Sequence, residues 1–125
     1  MPMNDKVFLD TNILIYCYTT SEPGKQIKAQ AVANFPNAVI STQVLKEFSN
    51  ILKKKFGLDW SAIRSAVDEV ERNFEIYTNT TNSIKNACSI AERYGFSFYD
   101  SLIITAALEC GCTTLYSEDI YSIDR

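Results

Sequence analysis

A chain of 125 residues, 46% hydrophobic and 22% charged, has the composition of one globular domain long enough to bury a core, which excludes a disordered or fibrous chain. Its net charge of −3 speaks against nucleic-acid binding by bulk electrostatics alone, though not against phosphate contact through metal ions and a local basic patch. No apolar run reaches the roughly 18 residues of a membrane helix, and MPMNDK lacks the apolar stretch of a signal peptide, so a cytoplasmic protein without a membrane partner is expected.

Residues 7–9 read as a short buried strand ending in Asp10, and a helix follows over 12–18. Pro23 suits the first turn of a second helix, running to about 35 with Ile27, Ala31 and Phe35 on one side. Residues 38–40 form a second strand. Ser41 then caps a strong amphipathic helix whose apolar stripe is Val44, Leu45, Phe48, Ile51 and Leu52, and which ends in Lys53, Lys54 and Lys55. Asp59 caps the next helix, with Trp60, Ile63, Val67 and Val70 as its stripe. Residues 75–77 make a weak third strand, and a helix over 82–94 stops at Gly95. The helix over 98–110 is apolar almost all round, which puts it in the centre of the domain. Residues 113–116 are a fourth strand, and SEDIYSIDR closes the chain. Short apolar strands alternating with longer helices predict an α/β fold: a short, central parallel sheet of about four to five strands with helices on both faces. Residues 1–125 form a single domain, without repeat or linker.

Four cysteines are scattered (Cys17, Cys88, Cys110, Cys112), with no CxxC pair, which disfavours a structural zinc site. Cys88 falls at an apolar helical position and is expected in the core. Histidine is absent, which removes the usual general base and every Ser-His or Cys-His pair. Enzyme chemistry here must use carboxylates, Lys, Tyr, or a metal held by oxygen.

Sites on open α/β sheets form outside the carboxyl ends of the strands. Asp10 stands at one such end, and Glu118 and Asp119 follow another. Asp100 lies in the first turn of the buried helix. Glu47, at about 100° per residue, falls on the rim of its helix's stripe and can lean into a cleft. Each has an ordinary explanation: Asp10 as a cap, Asp100 as complement to a helix dipole, Glu47, Glu118 and Asp119 as solvated charge. Jointly they describe one acidic cleft. Carboxylates held together repel unless a proton or cation intervenes, and an oxygen-only site favours Mg²⁺ or Mn²⁺, ions suited to phosphodiester chemistry.

Four stretches, VFLDTNILIY, STQVLKEF, FSFYDSLIITAAL and LYSEDI, occur in that order across almost the whole chain. In them the chain resembles the PIN-domain ribonucleases and, in length and motif wording, the VapC-type toxins of toxin–antitoxin modules. The resemblance implies a PIN-like fold in which Asp10, Glu47, Asp100 and Asp119 form a metal-binding catalytic quartet. It also implies supporting places for Asn12, Ser117 and Glu118. The reaction implied is Mg²⁺- or Mn²⁺-dependent endonucleolytic hydrolysis of RNA by a metal-activated water, and the implied partners are an RNA substrate, a cognate antitoxin and a second copy in a homodimer. One departure is that the family commonly continues into a further loop and last strand, whereas here Arg125 lies six residues past Asp119.

Weaker substrate-binding candidates are Lys46, beside Glu47 in sequence, and Tyr99, beside Asp100, for which packing around the cleft is the alternative. Lys53, Lys54 and Lys55 either meet an RNA backbone or complement a helix C-terminus. Tyr16, Tyr18 and Trp60 read as core or interface. Two other functions compete: a non-catalytic RNA-binding or scaffold module on the same fold, and an aspartyl-nucleophile phosphatase. The latter would want a second Asp where this chain has Asn12.

Overall fold

In the computed structural model, β1 (Lys6–Leu9) runs through the middle of a five-stranded sheet of order β3-β2-β1-β4-β5. The model describes residues 5–19, 23–34, 37–117 and 121–122. Strand β2 (Ala38–Ser41) lies parallel to β1 on one side, with Val7 opposite Ala38, and β3 (Glu75–Tyr77) lies parallel beyond it. Strand β4 (Cys112–Tyr116) lies parallel to β1 on the other side, with Leu9 opposite Tyr116. A two-residue strand, β5 (Tyr121–Ser122), pairs antiparallel at the β4 edge. The chain thus winds outward from β1 through β2 and β3, then returns to the far side of β1 as β4. The order reverses between β1 and β4, and that switch point is where sheets of this kind open a crevice at their carboxyl ends.

Among the described residues six helices flank the sheet: α1 (Thr11–Tyr18), α2 (Pro23–Ala33), α3 (Thr42–Lys54), α4 (Trp60–Asn73), α5 (Thr81–Tyr94) and α6 (Phe98–Glu109). Helix α1 packs on α2 and α3, α3 on α4, and α5 on α6, which also lies against β4 and β2. Val7, Phe8, Leu9, Val39 and Ile40 are fully buried, as continuous apolar strands covered on both faces should be.

Local chemistry fixes where helices begin and end. Ser41 accepts a hydrogen bond from the Val44 N–H, and Asp59 from the Ala62 N–H. Thr80 and Ser83 form a reciprocal capping box at α5. Gly95 ends α5 with φ +74°, a conformation that favours glycine. Helix α3 buries Val44, Phe48 and Leu52, with Leu45 and Ile51 half-buried, as its stripe predicts. Helix α6 buries residues on most of its circumference.

Three expectations fail. Ile27 and Ala31 of α2 are exposed and Ala29 is buried instead, so this helix meets α1 through a small residue; Phe35 lies outside the described residues. Cys88 is exposed, because the buried face of α5 runs through Ser83 and Ala87, one position round the helix. Trp60 is 63% exposed at the start of α4, whose core contacts come from Ile63 and Val70.

Candidate active site

The carboxyl end of β1 is tied to that of β4: the Asp10 N–H donates to the Tyr116 carbonyl at 2.9 Å. Past Leu9 the backbone of Asp10 stays extended and α1 starts, with Asp10 as its N-cap and its Oδ1 accepting from the Thr11 N–H at 2.6 Å. The cap reading of Asp10 therefore holds. The same geometry sets a half-buried carboxylate at the switch point, where the α1 dipole favours negative charge. Capping and a place in an acidic cleft do not exclude each other.

Thr11 points its side chain the other way. It is 3% exposed, and its Oγ1 donates to Glu47 Oε2 at 2.8 Å. Glu47 is half-buried on the flank of α3, as its helical position predicts. Its second oxygen, Oε1, accepts from Gln43 Nε2 at 2.6 Å, one turn earlier on α3. Both donors are neutral, so they orient the carboxylate without cancelling its charge. Each oxygen also retains acceptor capacity.

Gln43 is itself buried, and the same Nε2 lies 3.5 Å from the Tyr99 carbonyl in the first turn of α6. Asp100 is the next residue; its N–H donates to Ser97 Oγ, the N-cap of α6, and its side chain is exposed. One chain of contacts thus runs from Asp10 through Thr11, Glu47 and Gln43 to the backbone beside Asp100. These contacts link the N-cap of α1, helix α3 and the first turn of α6, the elements that carry three acidic residues distant in sequence. Gln43 is positioned in turn by Asn79, whose Oδ1 accepts from the Gln43 N–H and from Thr42 Oγ1.

Among the remaining candidates, Asn12 is exposed on the first turn of α1, and Ser117 is half-buried just past β4, at the same sheet edge as Asp10. Tyr99 is exposed, with its ring edge-on to Phe98. Lys46 is exposed on α3. Glu118 and Asp119 lie outside the described residues. Among the described residues no group of three or more Cys, Asp or Glu side chains is close enough to hold a metal ion.

Sequence reasoning missed Thr11, Gln43 and Ser101. Gln43 carried a signal, since a Gln four residues before a Glu on a helix shares its face. Thr11 carried none, because its partner lies 36 residues away. Ser101 follows Asp100 and is fully buried, and its Oγ has no hydrogen-bond partner among the described residues.

A model of the PIN domain family matches residues 7–123. Comparison with curated proteins gives no match by sequence. Among solved structures, VapC20 of Mycobacterium tuberculosis, described as a toxin cleaving the sarcin-ricin loop, superposes with a TM-score of 0.76 at 18% identity, over 91% of this chain and 90% of that one. A toxin–antitoxin complex from Klebsiella pneumoniae gives a TM-score of 0.69 at 19% identity, over 91% and 87%. VapBC2 of Rickettsia felis, bound to a DNA fragment from its promoter, gives 0.64 at 21% identity, over 90% and 87%. At these identities the likeness is one of fold.

Proposed function

The chain belongs to the PIN domain family, and from that premise we propose that it is a divalent-metal-dependent endoribonuclease, the toxin of a toxin–antitoxin pair acting in the cytoplasm. The observation that carries this is the contact chain from Asp10 through Thr11, Glu47 and Gln43 to Tyr99 and Asp100, gathered at the switch point of the sheet. The donor set fits a hard cation. It offers only oxygens, and Glu47 is steered by neutral donors that leave its charge intact.

Asp10, Glu47, Asp100 and Asp119 are the residues that would hold Mg²⁺ or Mn²⁺. The cation, when bound, supplies positive charge against the phosphodiester and lowers the pKa of a water. The chain's own residues do the rest. Thr11 and Gln43 hold Glu47 in one orientation. The N-cap geometry of Asp10 orients its carboxylate at the carboxyl end of β1, and the first turn of α6 carries Asp100. We assign supporting places to Asn12, Ser117 and Glu118, and weaker substrate-binding places to Lys46 and Tyr99. Water attacks phosphorus and the 3′-oxygen leaves, giving a 3′-hydroxyl and a 5′-phosphate.

Partners follow from the same reading. The Klebsiella and Rickettsia neighbours are toxin–antitoxin assemblies, which supports a cognate antitoxin for this chain. Tyr94, Phe96 and Phe98 leave large apolar area exposed around the α5–α6 connection, more than isolated surface residues would. That surface is the one we assign to homodimer contact. Among the described residues no helix is long and apolar enough to cross a membrane.

The test is cleavage of a mixed pool of tRNA and unstructured RNA, titrating Mg²⁺ and Mn²⁺, with Asp10→Asn run in parallel. Metal-dependent cutting that falls on the order of 10²-fold in the variant is expected. Absence of both cutting and Mn²⁺ binding would move the chain to the alternative, a non-catalytic RNA-binding or scaffold module on the same fold.

A further inference from the structure

The outer face of α3 carries a feature that extends beyond the acidic site. Lys46, Asn50 and Lys53 recur at i, i+4 and i+7, so they line one stripe on the side of the helix opposite Val44, Phe48 and Leu52. With Leu45, Ser49 and Trp60, the first part of that stripe walls an open groove of about 380 Å³. Trp60 is the chain's single tryptophan and keeps 63% of its surface exposed. Lys53 Nζ sits 5.0 Å from the centre of its ring, held there by a hydrogen bond to the Leu58 carbonyl at 3.4 Å. Lys54 and Lys55 follow directly.

The charge here is opposite to that of the whole molecule. The chain carries −3 overall, yet between residues 45 and 60 there are four lysines against Glu47 and Asp59. Of those two acids, Glu47 is turned onto Thr11 and Gln43, and Asp59 is engaged by the Ala62 N–H at the start of α4. An exposed indole face flanked by ammonium groups has the chemistry of a surface for single-stranded nucleic acid: bases stack on the ring and phosphates meet the lysines. The stripe from Lys46 to Lys53 spans about 10 Å, the length of about three nucleotides of a stacked strand. It begins one residue from Glu47.

We propose that the outer face of α3 and the first turn of α4 form a track for single-stranded RNA outside the acidic site, with Trp60 as a stacking platform and Lys46, Lys53 and Lys54 as phosphate contacts. The assignment of RNA as the occupant rests on the nuclease reading. The exposed indole, which bases can stack on, and the place beside Glu47 favour it over an acidic peptide, and the like charge of two such faces disfavours a second copy.

The single tryptophan makes the test direct. In the Asp10→Asn background, where the strand is not consumed, Trp60 emission is followed while a short unstructured oligoribonucleotide is added, with inorganic polyphosphate as the base-free control. RNA should quench the emission and polyphosphate should leave it nearly unchanged. Affinity read by anisotropy of labelled RNA should fall about tenfold in Trp60→Ala and recover in part in Trp60→Phe. The slope of log affinity against log salt should shrink by about 1.4 in K53Q/K54Q, ~0.7 for each phosphate that a lysine ceases to neutralise. Emission unmoved by RNA, or moved equally by polyphosphate, overturns the proposal. So does emission that follows protein concentration instead of RNA, which would mark the face as a contact between copies. The two readings fail separately: quenching by RNA without metal-dependent cleavage in the unaltered chain removes the nuclease and keeps the track, whereas cleavage with a silent Trp60 does the reverse.

Discussion

Thr11 gives the sharpest handle on how Glu47 is held. Thr11→Val keeps the shape of a buried side chain and deletes the hydroxyl that donates to Glu47 Oε2 at 2.8 Å. A hydrogen bond to a charged group is worth about 1.5–3 kcal/mol in burial. Glu47 is only half-buried, so water replaces part of it and the cost should be about 1 kcal/mol or less, partly offset by the better burial of a methyl. Melting temperature should therefore move by no more than about 4 °C. Function should respond far more, because loss of a partner that orients a ligand typically costs about 10–100-fold in metal affinity or activity. Thr11→Ser reverses the pattern. The hydroxyl stays, a methyl is lost from a site 3% exposed, and about 1 kcal/mol of stability goes with it while Glu47 keeps its donor. Thermal melts and Mn²⁺ titration of both variants separate the effects. If Thr11→Val binds Mn²⁺ as tightly as the parent and Thr11→Ser does not, the hydroxyl is not what positions Glu47.

Ser101→Ala removes a fully buried hydroxyl that has no partner among the described residues and substitutes a better helix former, so stability measured in urea should rise by about 1 kcal/mol; a fall would mean that the hydroxyl is satisfied. The thiols of Cys17 and Cys110 are pushed up to about 11 by burial, from an ordinary 9.0. Between pH 9 and 11 the folded chain holds protons that the unfolded chain releases, so the contribution of these thiols to stability is complete below 9 and is lost as pH climbs toward 11. Urea midpoints over that window should fall less steeply in Cys17→Ala than in the parent, and equal slopes would refute the assignment for Cys17.

What the sequence made legible was whatever depends on neighbours along the chain. Ser41, Asp59 and Gly95 mark their helix ends because capping and left-handed backbone are local chemistry. The stripe of α3 stood out because it contrasts with lysines and glutamate on the other faces. Helix α2 offers no such contrast. Its residues are mostly Ala, Gln and Lys, and its close approach to α1 wants the small Ala29 where periodicity alone pointed to Ile27. Cys88 misled for a similar reason, since the buried face of α5 runs through the small residues Ser83 and Ala87. In the site, Asp10, Glu47 and Asp100 were legible as carboxylates at chemically telling places. The link among them was not, because it depends on a parallel sheet carrying Thr11 to a residue 36 positions on.

The way the fold distributes its charges bears on what the acidic cleft is for. Carboxylates elsewhere meet different partners: Lys6 lies 3.2 Å from Glu75 across the sheet, in an exposed pair of small energetic value, while Asp59 accepts from the Ala62 N–H. At Glu47 the chain supplies Thr11 and Gln43, one neutral donor to each oxygen. A lysine reaching the same place would neutralise the cleft and stabilise the fold. Neutral donors fix direction and leave the negative potential standing. Gln43 extends the same arrangement to α6, where its amide meets the Tyr99 carbonyl and so couples the orientation of Glu47 to the helix turn that carries Asp100. In the proposed nuclease, such an orientation serves a positive charge that arrives from outside. The lysines of α3 do not provide it: Lys46 and Lys53 stand on the outer stripe of the helix and Lys54 two turns beyond Glu47, where they can meet phosphate.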